Sequence, residues 1–401
     1  MARLTVGGAS HGTGFWIVAA VFLTAMAYST VPTPLYPLYE QRDGFSVSLV
    51  TVIYSSYAVG VMLSLYLAGH VSDWLGRRRM LMVAVLISIA SAVMFLLWPE
   101  SLGLIGARLV NGVSIGILSA TATAHLGELR AIARPTENPV VATSVAGAAN
   151  LGGLALGPLI GGLCAEFLPD PLVLPHVIFL VLLTAGGMAL LTVPETVAGR
   201  SAPHRYRPQR LSVPRAHRSI FLVAAFGAFA GFAVFGLFSS LVPTFLVGTF
   251  GDRDHLLAGV AVFAIFASAA AGQLALAGAP LRRQLTIAII ACAAGLTLVA
   301  IGALLPLIVL FLGGGVVAGL GVGVLFRGAI GTAVAIAEPG HAGETLALLF
   351  LIAYAGPVIP VLAVGVALAF APPVAVLIVF AAAVLAATVA AGSIMRRRAV
   401  A

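Results

Sequence analysis

The residues best placed to do chemistry lie between Gly69 and Arg79, in the sequence GHVSDWLGRRR. This stretch joins two long apolar segments and holds one carboxylate, Asp73, and three consecutive arginines. Such groups form ion pairs and bind to helix ends. Charge this dense is excluded from hydrocarbon, so the stretch is predicted to be a tight loop at a membrane surface. The preference of arginine for cytoplasmic loops predicts that this surface faces the cytoplasm.

The loop carries a glycine, an aspartate, a second glycine and a basic pair at fixed intervals: Gly69, Asp73, Gly76, Arg77 and Arg78. This pattern resembles the loop that follows the second helix in the major facilitator superfamily of transporters. Trp74 departs from it, because the family usually has Arg or Lys at that position. An ordinary basic loop would explain the arginines, but not the glycines and the aspartate at these intervals.

The resemblance implies that this loop is a gating element. In the family it holds the two halves of the carrier together on the cytoplasmic side when the carrier faces outward, with the aspartate at the N-terminus of the eleventh helix. Asp73 would take that role here, and the eleventh helix would begin near Gly343. A basic residue of the loop, Arg77 or Arg78, would pair with Glu128 at the inner end of the fourth helix.

The fourth apolar segment contains Arg108, Asn111 and Gly112, which resemble an arginine and glycine feature of the same families. An arginine within a membrane helix costs about 2.5–3.5 kcal/mol on insertion scales unless it faces protein or water. Arg108 is therefore predicted to face a central cavity. The resemblance implies that it takes part in proton transfer or contacts the substrate. The alternative is a structural arginine bound by carbonyls of the first or second segment.

The fifth apolar segment has a pattern of small residues around one proline, GxxxGPxxGG, formed by Gly153, Gly157, Pro158, Gly161 and Gly162. Small residues at four-residue spacing create a groove in which another helix packs closely, and proline removes one backbone hydrogen bond. A plain helix-packing face is the simplest interpretation. The whole pattern also resembles the fifth-helix signature of drug:proton antiporters in this superfamily, which implies export rather than uptake.

Proton coupling lacks an obvious carboxylate in this sequence. All thirteen Asp and Glu residues fall at segment ends or in loops, whereas many drug:proton antiporters have an acid in a cavity-lining helix. The remaining candidates for proton coupling are Arg108, Asp73 and Glu40, which lies at the outer mouth of the first segment. Glu40 is placed to pair with Arg42 or Arg108.

Aromatic and neutral polar residues are predicted to line the rest of the cavity, because polar side chains are costly in hydrocarbon. The substrate-binding candidates are Tyr28, Thr33, Tyr57, Arg108, Asn111, Asn150, Phe235, Gln273 and Tyr354. Thr30 lies beside the first two, and a lipid-facing position is the alternative for Phe235. A cavity with aromatic residues, one arginine and no buried acid suits a moderately hydrophobic neutral or anionic compound.

The composition is typical of a membrane protein. Of the 401 residues, 61% are hydrophobic and 8% are charged, whereas soluble globular proteins have about 25% charged residues. The formal net charge of +8 comes from arginines, nearly all in short gaps between apolar runs. This distribution indicates membrane topology and contact with anionic lipid rather than nucleic-acid binding. The sequence has no phosphate-binding loop and no metal-spaced His or Cys cluster, so no enzyme activity, metal or cofactor is expected.

A bilayer core about 30 Å thick requires roughly 20 apolar residues of helix. The sequence has twelve such runs, at 15–39, 47–71, 79–98, 102–125, 139–164, 172–193, 219–247, 256–277, 284–304, 306–328, 344–370 and 373–394. Because lipid offers no partners for backbone groups, these runs are predicted to be helices. Arginine is concentrated in the loops on one side, which predicts that both termini are cytoplasmic.

The sequence therefore predicts an all-α membrane protein with twelve transmembrane helices in two pseudo-symmetric six-helix bundles. The Gly157-Pro158 pair is matched by Gly356-Pro357 in the eleventh segment, as expected for a duplicated unit. The predicted divisions are a cytoplasmic N-terminus at 1–14, a bundle at 15–193, a cytoplasmic linker at 194–218, a second bundle at 219–394 and a cytoplasmic tail at 395–401. Halves of this kind place a binding site between them near mid-membrane.

The predicted function is that of a secondary transporter in the cytoplasmic membrane. It would export small, moderately hydrophobic molecules, such as a drug, an antibiotic or a toxic metabolite, by proton antiport. The alternative on the same fold is uptake or facilitated transport of a sugar or an organic acid, and a transport-inactive substrate sensor is a further one. The predicted partners are the small-molecule substrate, protons and lipid. The protein is expected to be a monomer, because the pathway lies within one chain.

Overall fold

The computed structural model describes residues 8–197, 206–252, 254–338 and 341–398. Parts of the predicted N-terminal segment, linker and tail, at 1–7, 198–205 and 399–401, lie outside the described residues. Within the described ranges the regular elements are all helices. The prediction of an all-α protein is confirmed.

The first eight helices form the N-terminal half. They are α1 His11–Thr30, α2 Tyr36–Asp43, α3 Val47–Ala68, α4 Ser72–Leu75, α5 Arg77–Leu97, α6 Ser101–Ala133, α7 Val140–Phe167 and α8 Leu174–Leu190. The remaining helices form the C-terminal half. They are α9 Arg218–Phe250, α10 His255–Ala275, α11 Leu281–Leu304, α12 Ile308–Ile336, α13 Ala342–Ala355, α14 Ile359–Ala367 and α15 Pro373–Arg398.

Eleven helical stretches in the described chain are long and apolar enough to cross a membrane. They correspond to eleven of the twelve predicted segments. The sixth predicted segment, 172–193, is the shorter apolar helix α8 of 17 residues. The expectation of about twelve membrane helices is therefore confirmed, with α8 shorter than its segment.

Two of the predicted segments are interrupted at prolines, which cannot donate a backbone hydrogen bond. In the first, α1 ends at Thr30, and a short 3-10 turn over Thr33–Leu35 precedes α2. In the eleventh, α13 ends at Ala355 and α14 begins at Ile359, on either side of Pro357. Each of these spans is thus two helices in series rather than one.

The fifth span, α7, continues through Pro158 without interruption. A proline leaves the carbonyl four residues earlier without its helical partner. That carbonyl belongs to Leu154, and the hydroxyl of Thr30 on α1 donates to it at 3.1 Å. A side chain of one helix thus completes the hydrogen bonding of another, as is required where no water is present.

Each half has its own buried core. One cluster of buried residues is drawn almost entirely from the N-terminal half, and two others are drawn almost entirely from the C-terminal half. The exceptions mark where the halves meet, because Val361 of α14 joins the first cluster and Ala155 of α7 joins the second. The halves contact each other mainly through α7 with α10 and through α3 with α13 and α14.

Successive spans run in opposite directions, so their ends collect at two faces of the molecule. The basic face is defined here by Arg77, Arg78, Arg79, Arg130, Arg134, Arg282, Arg283, Arg396, Arg397 and Arg398. The opposite face holds the other helix ends and the acids Glu40, Asp43, Glu166, Asp170 and Asp254.

Candidate functional site

Arg108 is the largest side chain that is fully buried among the described residues, with 1% of its surface exposed. Its Nη1 donates to the backbone carbonyl of Ser29 on α1 at 2.5 Å. The guanidinium carbon lies 4.6 Å from the ring centre of Tyr57 and 5.7 Å from that of Tyr54, both on α3. Aromatic faces attract cations at such distances. Within the described chain, Nε has no hydrogen-bond partner.

The close crossing of α3 and α6 explains why the tyrosine rings reach Arg108. A Cβ atom added to Gly112 would overlap the carbonyl oxygen of Tyr57, and one added to Gly60 would overlap the carbonyl oxygen of Leu109. Reciprocal glycines allow two membrane helices to approach at backbone distance. Gly112 lies one turn beyond Arg108, so the same contact brings Tyr57 over the guanidinium.

Other buried polar atoms near Arg108 also lack a hydrogen-bond partner among the described residues. Asn111, on the same face of α6 as Arg108, is 1% exposed, and neither its amide oxygen nor its amide nitrogen has a partner within the described ranges. The same holds for the buried hydroxyl group of Tyr36. Buried polar groups in proteins are nearly always hydrogen bonded. A group of unbonded ones where the two halves meet is therefore a candidate ligand site.

The C-terminal half faces this region with aromatic side chains. The ring of Phe232 on α9 lies 5.4 Å from that of Tyr354 on α13 and 4.7 Å from that of Phe326 on α12. Tyr354 also packs against the core of the N-terminal half. Nearby, Ser55 of α3 donates to the carbonyl of Pro357 at 3.4 Å. Tyr354 and the rings packed on it thus form an aromatic group where the C-terminal half meets the N-terminal half.

At the basic face, Arg77 forms the centre of a network within the N-terminal half. Its Nη1 contacts a carboxylate oxygen of Asp73 at 2.6 Å and the hydroxyl of Ser72 at 2.7 Å, and its Nη2 contacts Glu128 at 2.9 Å. The predicted pair with Glu128 is therefore present, formed by Arg77. Arg78 donates instead to the carbonyls of Leu191 and Val193.

Glu195 also belongs to this network, although sequence reasoning missed it. Its carboxylate accepts from the backbone N–H groups of Arg77 at 2.8 Å and Arg78 at 3.2 Å, so it binds the N-terminus of α5. Helix N-termini favour anions. Gly76 has φ +107°, and a Cβ there would lie 2.5 Å from Glu195 Oε2, which explains why this loop position is glycine. An acid directly after the sixth span was the available sequence signal.

A second ion pair lies nearby on the basic face. Arg130, near the end of α6, pairs with Glu137 in the loop that follows, and this hydrogen bond holds the pKa of the Glu137 carboxyl below its usual value. Arg130 also lies 5.0 Å from the ring centre of Phe15 on α1. The Arg77–Glu128 and Arg130–Glu137 pairs therefore both fix the basic ends of helices in the N-terminal half.

Comparison with known proteins identifies the fold. A family model described as Major Facilitator Superfamily matches residues 17–360. The chain belongs to this superfamily. Its members are transporters rather than enzymes, so the expectation that the protein is not an enzyme is confirmed.

Two curated relatives match parts of the chain. The bovine (Bos taurus) facilitated glucose transporter member 2 of solute carrier family 2 is 31% identical over 105 residues, which are 24% of this chain and 20% of that protein. An uncharacterized superfamily transporter of Bacillus subtilis (strain 168), YceJ, is 25% identical over 232 residues, which are 56% of this chain and 58% of that protein. The matched part therefore spans less than two thirds of either relative.

Among solved structures, that of the nucleoside transporter NupG superposes with a TM-score of 0.69. The sequences are 14% identical, and the match covers 96% of this chain and 99% of that chain. At this identity the likeness shows the fold alone. The structural likeness therefore agrees with the superfamily fold.

Among the described residues, Asp73 does not form the hydrogen bond to the N-terminus of α13 that the resemblance implies. The side chain of Asp73 is 60% exposed and bonds to Arg77 within its own half. Across the described part of α13, no hydrogen bond from the helix N-terminus to Asp73 is formed. The contact that the resemblance implies belongs to the outward-facing state, in which the halves close at this face.

The glycines of the fifth-span motif have two different partners. Cβ atoms at Gly153, Gly157 and Gly161 would overlap or crowd backbone and side-chain atoms of α1 and the turn after it. Gly162 instead faces the other half, where a Cβ would lie 2.7 Å from the carbonyl oxygen of His255 and 3.1 Å from Gly259 Cα. The motif therefore packs the N-terminal half internally and also closes the two halves against each other.

Further contacts between the halves lie at the opposite face. Glu166, at the end of α7, accepts from the backbone N–H of His255 at the start of α10 at 3.2 Å. Ser48, at the start of α3, donates to the carbonyl of Gly365 on α14 at 2.8 Å. Together with the contact at Gly162, these bonds close the opposite face of the transporter in this conformation.

Several predicted cavity residues form their closest contacts with groups other than Arg108. Tyr28 bonds to His176 at 3.3 Å and packs on Phe179, inside the core of the N-terminal half. Thr33 is buried in the turn between α1 and α2. Phe235 stacks on Phe266 at 4.7 Å and lies 5.9 Å from the ring of Phe232, both within the C-terminal half. Tyr57, Arg108, Asn111 and Tyr354 are brought to the meeting of the halves, whereas Asn150 and Gln273 are half-buried on α7 and α10.

The predicted pairing of Glu40 is wrong in this conformation. Arg42 forms a two-point contact with Asp43 and donates to the carbonyl of Pro99, because its neighbour in sequence is within closer reach. Arg108 is held by Ser29. One carboxyl oxygen of Glu40 is buried without a hydrogen-bond partner among the described residues.

Proposed function

We propose that this protein exports small, moderately hydrophobic molecules across the cytoplasmic membrane in exchange for protons. The observation that carries the proposal is the buried Arg108 centre where the two halves meet. A carrier needs a site that both halves contact and that opens to one side at a time. The Arg108 centre lies between two regions where the halves can join or part, at the basic face and at the opposite face.

The proposed cycle alternates the contacts at these two faces. In this conformation the opposite face is closed by Glu166, Ser48 and the Gly162 contact. Substrate would enter from the basic face, which the positive-inside rule places in the cytoplasm together with both termini. Closure of the basic face, with Asp73 moving to the N-terminus of α13, would then release the opposite face. One chain suffices for this cycle, so a monomer is proposed.

Export is supported by the full glycine and proline pattern of α7, which resembles that of drug:proton antiporters. Proton movement would supply the energy, since each charge moved through 100 mV gains about 2.3 kcal/mol. Glu40, Asp73 and Arg108 are the proposed coupling residues. Uptake of a sugar or an organic acid is the second candidate, because part of the chain matches a protein named as a facilitated glucose transporter.

The direction of proton movement tests this proposal. Everted membrane vesicles that contain the protein are acidified inside by respiration and mixed with one compound at a time from a panel of drugs, metabolites and sugars. A pH-sensitive dye inside reports proton flux, and vesicles without the protein are the control. We expect at least one hydrophobic compound to alkalinise the interior. Further acidification would show symport, and no response to any compound would contradict transport coupled to protons.

Replacing Asp73 with asparagine is expected to reduce transport about tenfold or more while leaving the protein folded. An exposed ion pair such as that between Asp73 and Arg77 contributes about 0–1 kcal/mol to stability, so its loss changes the folded state little. Loss of transport would therefore report a contact that Asp73 makes in the other conformation. Transport and thermal unfolding of Asp73→Asn are compared with those of Asp170→Asn, which alters an exposed acid at the opposite face. Normal transport by Asp73→Asn would remove this residue from the gate.

A further inference from the structure

We propose that the cargo is an amphipathic organic anion, whose carboxylate binds Arg108 and whose apolar body lies against the aromatic side chains of the C-terminal half. This inference rests on the proposed transport function and names its substrate class. It follows from the charge balance, the unused hydrogen-bonding groups and the two unlike walls of the site.

The charge of Arg108 is not neutralised by the protein. All thirteen acids of the sequence lie in the described part of the chain. The four salt bridges there are formed by Arg42, Arg77 and Arg130, and none is formed by Arg108. Arg108 itself has one carbonyl and two tyrosine rings as partners. Isolated buried charges are costly and are normally paired. A buried charge that the protein leaves unpaired is stabilised when the cargo supplies the opposite charge.

The free edge of the guanidinium has the shape that a carboxylate requires. Nη1 is used by Ser29, and the buried Nε has no protein acceptor among the described residues, so the edge that includes Nε and Nη2 is the one left for a ligand. Two parallel N–H groups bind the two oxygens of a carboxylate or a similar oxyanion. Asn111 lies one turn away on the same helix face, with an unbonded amide that can donate to the same anion or to a neighbouring polar group.

The other wall has no comparable charge. Phe232, Phe326 and Tyr354 form a connected aromatic surface on three helices of the C-terminal half. The arginine of α12, Arg327, donates to the carbonyl of Ala277 at the basic end of the span, away from this surface. Aromatic and aliphatic groups of a ligand bind such a surface, whereas a second charge on the ligand would lose its hydration there. The preferred cargo therefore has one anionic end and one apolar end.

The test measures binding rather than transport. Purified full-length protein in lipid nanodiscs is heated with matched ligand series in which phenyl, naphthyl and indole bodies each carry a carboxylate, a primary amide or an amine. A bound ligand raises the unfolding temperature in proportion to ln(1 + [L]/Kd). We expect a carboxylate to stabilise the wild-type protein at concentrations about tenfold or more below those of its amide, and the amine to have no effect.

Variants of the arginine connect this stabilisation to the site. Arg108→Gln is expected to abolish stabilisation by the carboxylate, yet to unfold at the same temperature as the wild type or higher in the absence of ligand, because it removes an unpaired buried charge. Arg108→Lys keeps the charge but not the two-point edge, and should bind about tenfold more weakly. Arg327→Gln is the matched control and should bind carboxylates normally.

Three results would overturn the inference: stronger stabilisation by an amide or an amine, equal stabilisation of Arg108→Gln and wild type by the carboxylate, or no stabilisation by any carboxylate of the three series. The measurement involves no proton gradient. A failed proton flux in vesicles would therefore leave the substrate class standing, and a cationic preference in nanodiscs would leave proton-coupled export standing.

Discussion

Replacing Gly162 with alanine is expected to open the opposite face of the transporter without unfolding it. The added methyl group would lie 2.7 Å from the carbonyl oxygen of His255 and 3.1 Å from Gly259 Cα, both in the other half. The two halves can separate there, whereas helices within one core cannot. Overpacking costs about 1–3 kcal/mol through the side-chain and backbone shifts that it forces. If separation relieves this strain, the ratio of open to closed molecules rises about 5- to 150-fold.

The neighbouring glycine provides a matched control. A methyl group on Gly161 would meet the carbonyl oxygen of Val31 and the ring of Pro34, which belong to the same half. Gly161→Ala should therefore lower the unfolding temperature without changing the separation of the halves. Spin labels placed at Asp170 and Asp252, one on each half at the opposite face, report that separation by pulsed electron resonance. Equal distance distributions in both variants would contradict the assignment of Gly162 to the contact between halves.

Replacing Arg77 with glutamine is expected to lower both stability and transport. Arg77 holds Asp73, Ser72 and Glu128 together, and its loss leaves the half-buried Glu128 carboxylate without its cation. Thr196 still donates to Glu128, but the charged hydrogen bond from Arg77 is lost, and such bonds contribute about 1.5–3 kcal/mol. The motif loop would also lose the contacts that fix its geometry, so we expect transport to fall about tenfold or more in the vesicle assay.

Two comparisons separate the network from a general effect of charge. Arg79→Gln removes an exposed arginine of the same helix turn and should unfold and transport like the wild type. Combining Arg77→Gln with Glu128→Gln removes both partners. The double variant should be more stable than the sum of the single effects predicts, by about 0.5–3 kcal/mol. Strict additivity of the two substitutions would show that the pair does not act as a unit.

Sequence reasoning predicted the membrane class, the number of spans and the superfamily, because each depends on local composition or on a short motif. It could not predict which polar residues meet at the centre. Thr30 illustrates the limit, since a hydroxyl in an apolar segment suggested the cavity. Its partner is the Leu154 carbonyl that Pro158 leaves free, a pairing across 124 positions. The proline and the threonine were both visible, but their proximity depends on how α1 packs against α7.

Glu195 and the tyrosines around Arg108 show the same limit in two other ways. Glu195 lies 118 positions from Arg77, and an acid at the end of a span looks like an ordinary loop residue until α8 and α5 are placed side by side. Tyr57 was expected near the site, but its position over Arg108 depends on the backbone contact at Gly112. Substrate and transport direction depend on still finer geometry, which composition does not encode.

The bond from Thr30 to Leu154 also has a mechanical consequence. Proline normally makes a helix flexible at its position. Here the freed carbonyl accepts from Thr30 of α1, whose hydroxyl also lies 3.2 Å from the carbonyl of Ala27, so bending α7 at Pro158 would strain this contact. A displacement of one end of α7 is therefore expected to be transmitted along the helix to its other end. The eleventh span is instead divided at Pro357, and its junction bonds to Ser55 of the other half. The protein thus has one span that is continuous through its proline, α7, and one that is divided at its proline, α13 and α14, where the two halves meet.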